Sequence, residues 1–139
     1  MNNLHNQDYK KWIGELKQKV YSTQIKASIA VNKTLIEFYF FIGKSISEKE
    51  NIWGSKLLKQ TSRDLITEFP DMKGFSVTNL KYCKNFYLFY SKPISQQLVD
   101  QIPWGHNILI FSKSNSVSEA LFYVQKTIQN QWSRDILAL

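Results

Sequence analysis

One cysteine, Cys83, in 139 residues means that the chain can close no disulfide of its own, which is the usual state of a protein kept in a reducing compartment. Only two histidines are present, His5 and His106, far apart and outside any His/Cys cluster. Structural zinc takes four Cys or His ligands at short spacings, so no metal is expected. The five glycines are scattered singly, which excludes a glycine-rich phosphate loop, and no Gly-x-Ser-x-Gly elbow frames a nucleophile. No cofactor is therefore expected. Long apolar runs are missing too: the longest, Phe38 to Ile42, is far short of a membrane span, and the opening MNNLHNQDYK is too polar for a secretory signal. These absences together describe a soluble, cytoplasmic protein without a membrane partner.

What remains is rich in apolar and basic residues. A hydrophobic content of 43% in 139 residues suffices for one domain with a real core, here expected to span residues 1–139. Net charge is +7, from 18 Lys plus Arg against 11 Asp plus Glu, and residues 51–90 carry six basic and three acidic side chains. The sign suits a polyanion, although it also serves solubility. With only three prolines and no run of alternating polar and apolar residues, the chain reads as all-α.

After a polar leader of seven residues, Asp8 can cap a helix in which Trp12, Leu16, Val20, Ala27, Val31, Leu35, Phe38 and Ile42 recur at helical spacing. One long helix over 8–50, or two nearly collinear ones, is expected. At 1.5 Å per residue it would be about 60 Å long, more than a domain of this size can cover. Its four consecutive aromatics, Phe38 to Phe41, point all round a helix. Either that helix is buried on several sides in its own core, or Phe38 and Phe41 form the seam of a homodimer.

Residues 55–90 read as two amphipathic helices joined by a turn, the pattern of a helix-turn-helix. The first runs from a cap at Ser55 to about Phe69, with Leu57, Leu58, Leu65, Ile66 and Phe69 facing inward. Pro70, Asp71 and Gly74 supply the turn. The second restarts at Ser76, with Leu80, Cys83 and Tyr87 inward and Thr78, Lys81, Tyr82 and Asn85 outward. Beyond a loop broken by Pro93, with a short turn at Gln96 to Asp100, C-terminal helices fill 103–139. Pro103 suits N1 of a helix to about Phe111, Ser116 with Glu119 makes a capping box for Val117 to Asn130, and Ser133 can cap a last helix. The piece NILIF, Asn107 to Phe111, is where a strand of a winged variant would lie. Trp53, Trp104 and Trp132 are expected core anchors, and His106 is expected to bond a neighbouring helix.

Four ordered segments, Trp53 to Lys56, Glu68 to Leu80, Ile102 to Asn107 and Asn130 to Leu139, resemble the N-terminal domain of the bacterial YhcG-type proteins. The resemblance covers most of the chain after about Tyr9. It implies a helix-turn-helix DNA-binding module followed, in the parent protein, by a separate C-terminal PD-(D/E)XK nuclease domain that these 139 residues do not include. Such a nuclease site needs an Asp and then an acid-x-Lys triplet on adjoining strands to hold a divalent metal. Pro70-Asp71 imitates the first part, yet no such triplet follows it, and Glu48-Lys49-Glu50 precedes it in a helical setting. No catalytic residue is therefore assigned.

The expected function is weak, low-specificity binding of duplex DNA. Lys56, Lys59, Arg63 and Lys73 would flank the backbone, while Ser76, Thr78, Asn79, Lys81, Tyr82, Lys84 and Asn85 would approach bases or phosphates, Asn79 and Asn85 being the candidates for reading adenine. The alternative is a protein-interaction and homodimerisation domain with no direct DNA contact. It is favoured by the aromatics Tyr82, Phe86 and Phe89, which leave a reading face little room.

Overall fold

The computed structural model describes residues 6–27, 31–91 and 96–138, and the side chains of all of these except 24–27, 31, 96 and 97. The leader through His5, the breaker Pro93 and the inward placement of Ala27 and Val31 lie outside the described residues. The described residues form α1 (Gln7–Ala27), α2 (Val31–Trp53), α3 (Leu57–Glu68), α4 (Val77–Tyr90), α5 (Gln96–Val99), α6 (Trp104–Lys113), α7 (Val117–Asn130) and α8 (Arg134–Leu137). The fold is all-α, and NILIF lies inside α6, so no strand of a wing is found among the described residues. Among the described residues no helix is long and apolar enough to cross a membrane.

The expected long helix is two helices folded back on each other. In a straight helix Trp12 and Ser45 would be about 50 Å apart; here the Trp12 indole N–H donates to Ser45 Oγ at 2.6 Å. Tyr9, Trp12 and Trp53 form a cluster with ring centroids 5.6–5.8 Å apart, and the Lys19 ammonium lies over the Phe41 ring. The physical reason is burial. Collinear helices would leave the stripe Tyr9, Trp12, Ile13, Leu16 and Val20 in water, whereas the antiparallel pair buries all five. The mismatch in length that suggested a dimer seam disappears with it. Phe38 is buried in its own chain against Phe75, while Phe41 is 39% exposed. The aromatic run is shared out around α2, with Tyr39 on Trp104 and Phe40 on Phe86 and Tyr87.

Capping follows local chemistry. Ser76, Ser116 and Ser133 each accept from the backbone N–H three residues on, which satisfies a donor left open at the helix start. Two other caps differ from expectation. Asn6 rather than Asp8 takes the Tyr9 N–H, and Ser55 caps nothing: α3 is entered through helical Lys56 after Gly54 turns the chain at φ 84°. Pro103 sits at the cap position itself, one residue earlier than N1.

The described residues pack into two hydrophobic clusters. One joins α1, α2, α3 and the first half of α4; the other joins Ile36, Phe86 and Tyr90 to Val99, Ile102, Ile110, Phe111, Ala120 and Val124. Trp104 packs against both. Helices α2 and α4 contribute to each cluster and cross at Gly43, where an added Cβ would collide with the carbonyl oxygen of Cys83. Backbone cannot yield as a side-chain tip can, so Gly43→Ala is expected to lower the unfolding free energy by about 2 kcal/mol. At Gly14 of α1 an added methyl meets nothing within 4 Å, and Gly14→Ala should stabilise by up to about 1 kcal/mol. Urea denaturation of the two variants checks the pair; equal shifts would mean that the crossing is looser than described.

Candidate nucleic-acid interface

Helix α3 has no glycine or proline, and Leu57, Thr61, Ser62 and Leu65 give it one buried face. Ile66, expected inward, is 45% exposed because it falls off that face. The two carboxylates of α3 are both engaged by its neighbours. Asp64 accepts from Tyr9 Oη at 2.8 Å and from the Gln60 amide at 3.2 Å. Burial, with the Asp64 carboxylate beside it, pushes the Tyr9 phenol well above its ordinary pKa. Glu68 pairs with Lys17 at 3.5 Å and accepts from Tyr21 Oη at 3.2 Å. Lys56, Lys59 and Arg63 point the other way, exposed and without a carboxylate partner among the described residues.

The connection to α4, residues 69–76, is anchored at both ends. Phe69 and Phe75 are buried, and Ser62 Oγ donates to the Phe75 carbonyl at 2.7 Å. Gly74 has φ 105°, a conformation suited to glycine, and a Cβ there would strike the Tyr39 hydroxyl. Lys73 and Asp71 stand exposed on this turn. Among the described residues no group of three or more His, Cys, Asp or Glu side chains, with Asp71 or without it, could hold a metal.

Helix α4 places its expected contact residues in two groups. Asn79 is spent internally, its amide nitrogen donating to the Gly74 carbonyl at 2.8 Å and its oxygen accepting from Trp104 Nε1 at 2.8 Å. It is thus unavailable for reading adenine. Lys84 pairs with Glu50 of α2 at 2.7 Å, Tyr82 turns its ring toward Phe111, and Ser76 is used as the cap. Thr78, Lys81 and Asn85 stay exposed along one strip, flanked by Val77 and Leu88. Tyr87, expected to be fully inward, is half-buried, and Phe86 and Tyr90 take the deepest places instead.

The linkage Gly74–Asn79–Trp104 was not foreseen, although one local signal exists. Asn79 lies three residues after the cap, the position from which a side chain reaches back over the helix start. Tyr39 completes this cluster. Its phenol is pushed up to about 12 chiefly by burial and secondarily by nearby Cys83, with the Asn79 side chain acting in the opposite direction. The Lys84–Glu50 pair has no local signal, since its members lie on different helices. His106 donates from Nε2 to the Trp132 carbonyl at 2.8 Å, tying α6 to the segment before α8. Of the expected tryptophan anchors, Trp53 is buried, while Trp104 and Trp132 are half-buried.

The chain belongs to the family defined by the DUF1016 N-terminal domain, whose model matches residues 15–139; this is the YhcG-type family that the four sequence segments resemble. No curated protein and no solved structure matches it.

Asn79→Ala would orphan the Trp104 N–H and the Gly74 carbonyl together, and is expected to cost about 2 kcal/mol of stability. Asn85→Ala, on the exposed strip, should change stability by less than about 0.5 kcal/mol. Thermal unfolding of both variants distinguishes them. An Asn79→Ala protein as stable as its parent would return that side chain to the list of available contact groups.

Proposed function

We propose that this domain is a non-catalytic DNA-binding module whose contact surface lies on α3, the 69–76 turn and α4, which follow one another in the order of a helix-turn-helix. Its phosphodiester chemistry would reside in a separate nuclease domain of a larger protein, as the YhcG-type resemblance implies. One observation carries the reading: Lys56, Lys59, Arg63, Lys73 and Lys81 are all exposed on this unit, and none has a carboxylate partner among the described residues. Unpaired cations on a domain of net charge +7 favour a polyanion and release its counterions on contact.

A second reading, a protein-interaction or homodimerisation domain, draws on Phe122, 52% exposed, and Ile136, 53% exposed, on α7 and α8. A seam at Phe38 does not support it, since that ring is already covered.

Fluorescence anisotropy with a labelled mixed-sequence duplex separates the two. The DNA-binding reading expects weak association with little sequence preference, falling steeply as salt rises from about 50 to about 200 mM. Folded protein that binds no duplex at low ionic strength, and sediments as a dimer, would replace it with the interaction reading. Plasmid incubated with the domain and Mg²⁺ should stay intact, because no acid-x-Lys triplet follows Asp71 in the sequence to gather carboxylates around the ion.

A further inference from the structure

We infer that this domain grips duplex DNA through its phosphates across the outer face of α3, and that α4 does not enter the major groove; this rests on the DNA-binding reading above. The first ground is the confinement of α4. A groove-reading helix must push most of its girth into a channel about 12 Å wide, and a helix with side chains is itself about 10–12 Å across. Helix α4 is instead packed by α2 at Gly43 and Phe40, by α6 at Phe111 and Trp104, and by α3 on a further side. At about 100° per residue, its exposed positions Val77, Thr78, Lys81, Asn85 and Leu88 cover only about 100° of the circumference. The connection before it, residues 69–76, is also longer than the turn of roughly three or four residues that sets a recognition helix in place.

The second ground is the chemistry of the exposed strip. Base reading relies on bidentate partners, Arg or Lys on guanine and Asn or Gln on adenine. Asn79 and Lys84 are committed to Gly74, Trp104 and Glu50, which leaves one ammonium, one amide and the single hydroxyl of Thr78 beside two apolar side chains. That is too little to specify a sequence.

The third ground is α3 itself. Lys56, Lys59 and Arg63 recur at i, i+3 and i+7, so they share one face, and Lys56 is already helical at the cap. Both carboxylates of the helix are engaged by Tyr9, Gln60, Lys17 and Tyr21, so no acid of α3 opposes the three cations. From Lys56 to Arg63 the helix rises about 10 Å. With three cations, this face can make at most about three phosphate contacts, each neutralising one backbone charge. A guanidinium at its end can hold a phosphate through two N–H groups.

The experiment compares the 139-residue chain with two triple variants in anisotropy titrations over a salt series, using several duplexes of unrelated sequence. One variant carries Lys56→Ala, Lys59→Ala and Arg63→Ala; the other carries Thr78→Ala, Lys81→Ala and Asn85→Ala. All six positions are exposed, and circular dichroism verifies that each variant is folded. The α3 variant should lose at least about tenfold in affinity at low salt, and its log–log salt slope should flatten by up to about 2.7, or 0.9 for each phosphate contact removed. The α4 variant should lose a slope of at most about 0.9, for Lys81, with the duplexes still bound alike. Parent binding that survives in the α3 variant but is lost in the α4 variant overturns the inference and leaves the DNA-binding reading standing. So does a slope that drops equally in both, or a sequence preference removed by the α4 changes. A folded parent that binds none of the duplexes overturns the reading itself, and the inference with it.

Discussion

Because Gly43 has no side chain, α2 can lie with its backbone against the carbonyl of Cys83, and the two helices brought together there divide the molecule into its two cores. Cys83 suits the partner position for the same reason. It is small and fully buried, and burial pushes its thiol well above the ordinary range, so it acts as an inert apolar filler. On one side of this crossing, α1 folds back to cover Phe38, Ile42 and Ile46; on the other, α6 and α7 close over Phe86 and Tyr90. Trp104 reaches both clusters, and its bond to Asn79 ties α6 to the start of α4, while Asn79 in turn bonds the Gly74 carbonyl of the turn before it.

That arrangement decides which side chains are left for a partner. A helix used as the spine of two cores has little surface to offer, and the polar groups at its ends are drawn into holding it. Asn79 bonds the turn and Trp104; Lys84 bonds Glu50. Helix α3 has the opposite situation. It is a peripheral helix, buried on one face only, and its acids are satisfied by α1 while its bases remain in solvent. The proposed DNA contact follows from this division of labour between an internal helix and a peripheral one, with phosphate attraction in place of base recognition.

Features set by a few neighbouring residues could be read from the sequence. Ser76, Ser116 and Ser133 cap as their spacing indicates, since the bond spans three residues. The all-α class and the α3 and α4 positions were legible for similar reasons; His106, expected to bond a neighbouring helix, instead bonds the Trp132 carbonyl in the segment between α7 and α8. Relations between distant segments were not. The apolar stripe from Trp12 to Ile42 contains no proline, so nothing local distinguishes a continuous helix from a hairpin; the bond from Trp12 to Ser45 makes that distinction in space. Likewise, Asn79 and Asn85 look equally polar along the chain, yet only Asn79 faces the turn and Trp104. Lys84 gave no sign of its pairing because Glu50 lies on another helix. The candidate contact list therefore mixed exposed cations with side chains that hold the fold.

The contact surface can be located most directly by lysine acetylation, with and without saturating duplex at low salt, read residue by residue by mass spectrometry. Lys56, Lys59 and Lys81 are exposed and should all react in free protein, whereas Lys84, half-buried against Glu50, should react slowly throughout. With DNA bound, strong protection is expected at Lys56 and Lys59 and little at Lys81. Protection confined to Lys81, with Lys56 and Lys59 as reactive as before, would contradict a phosphate grip on α3 and put α4 back at the DNA.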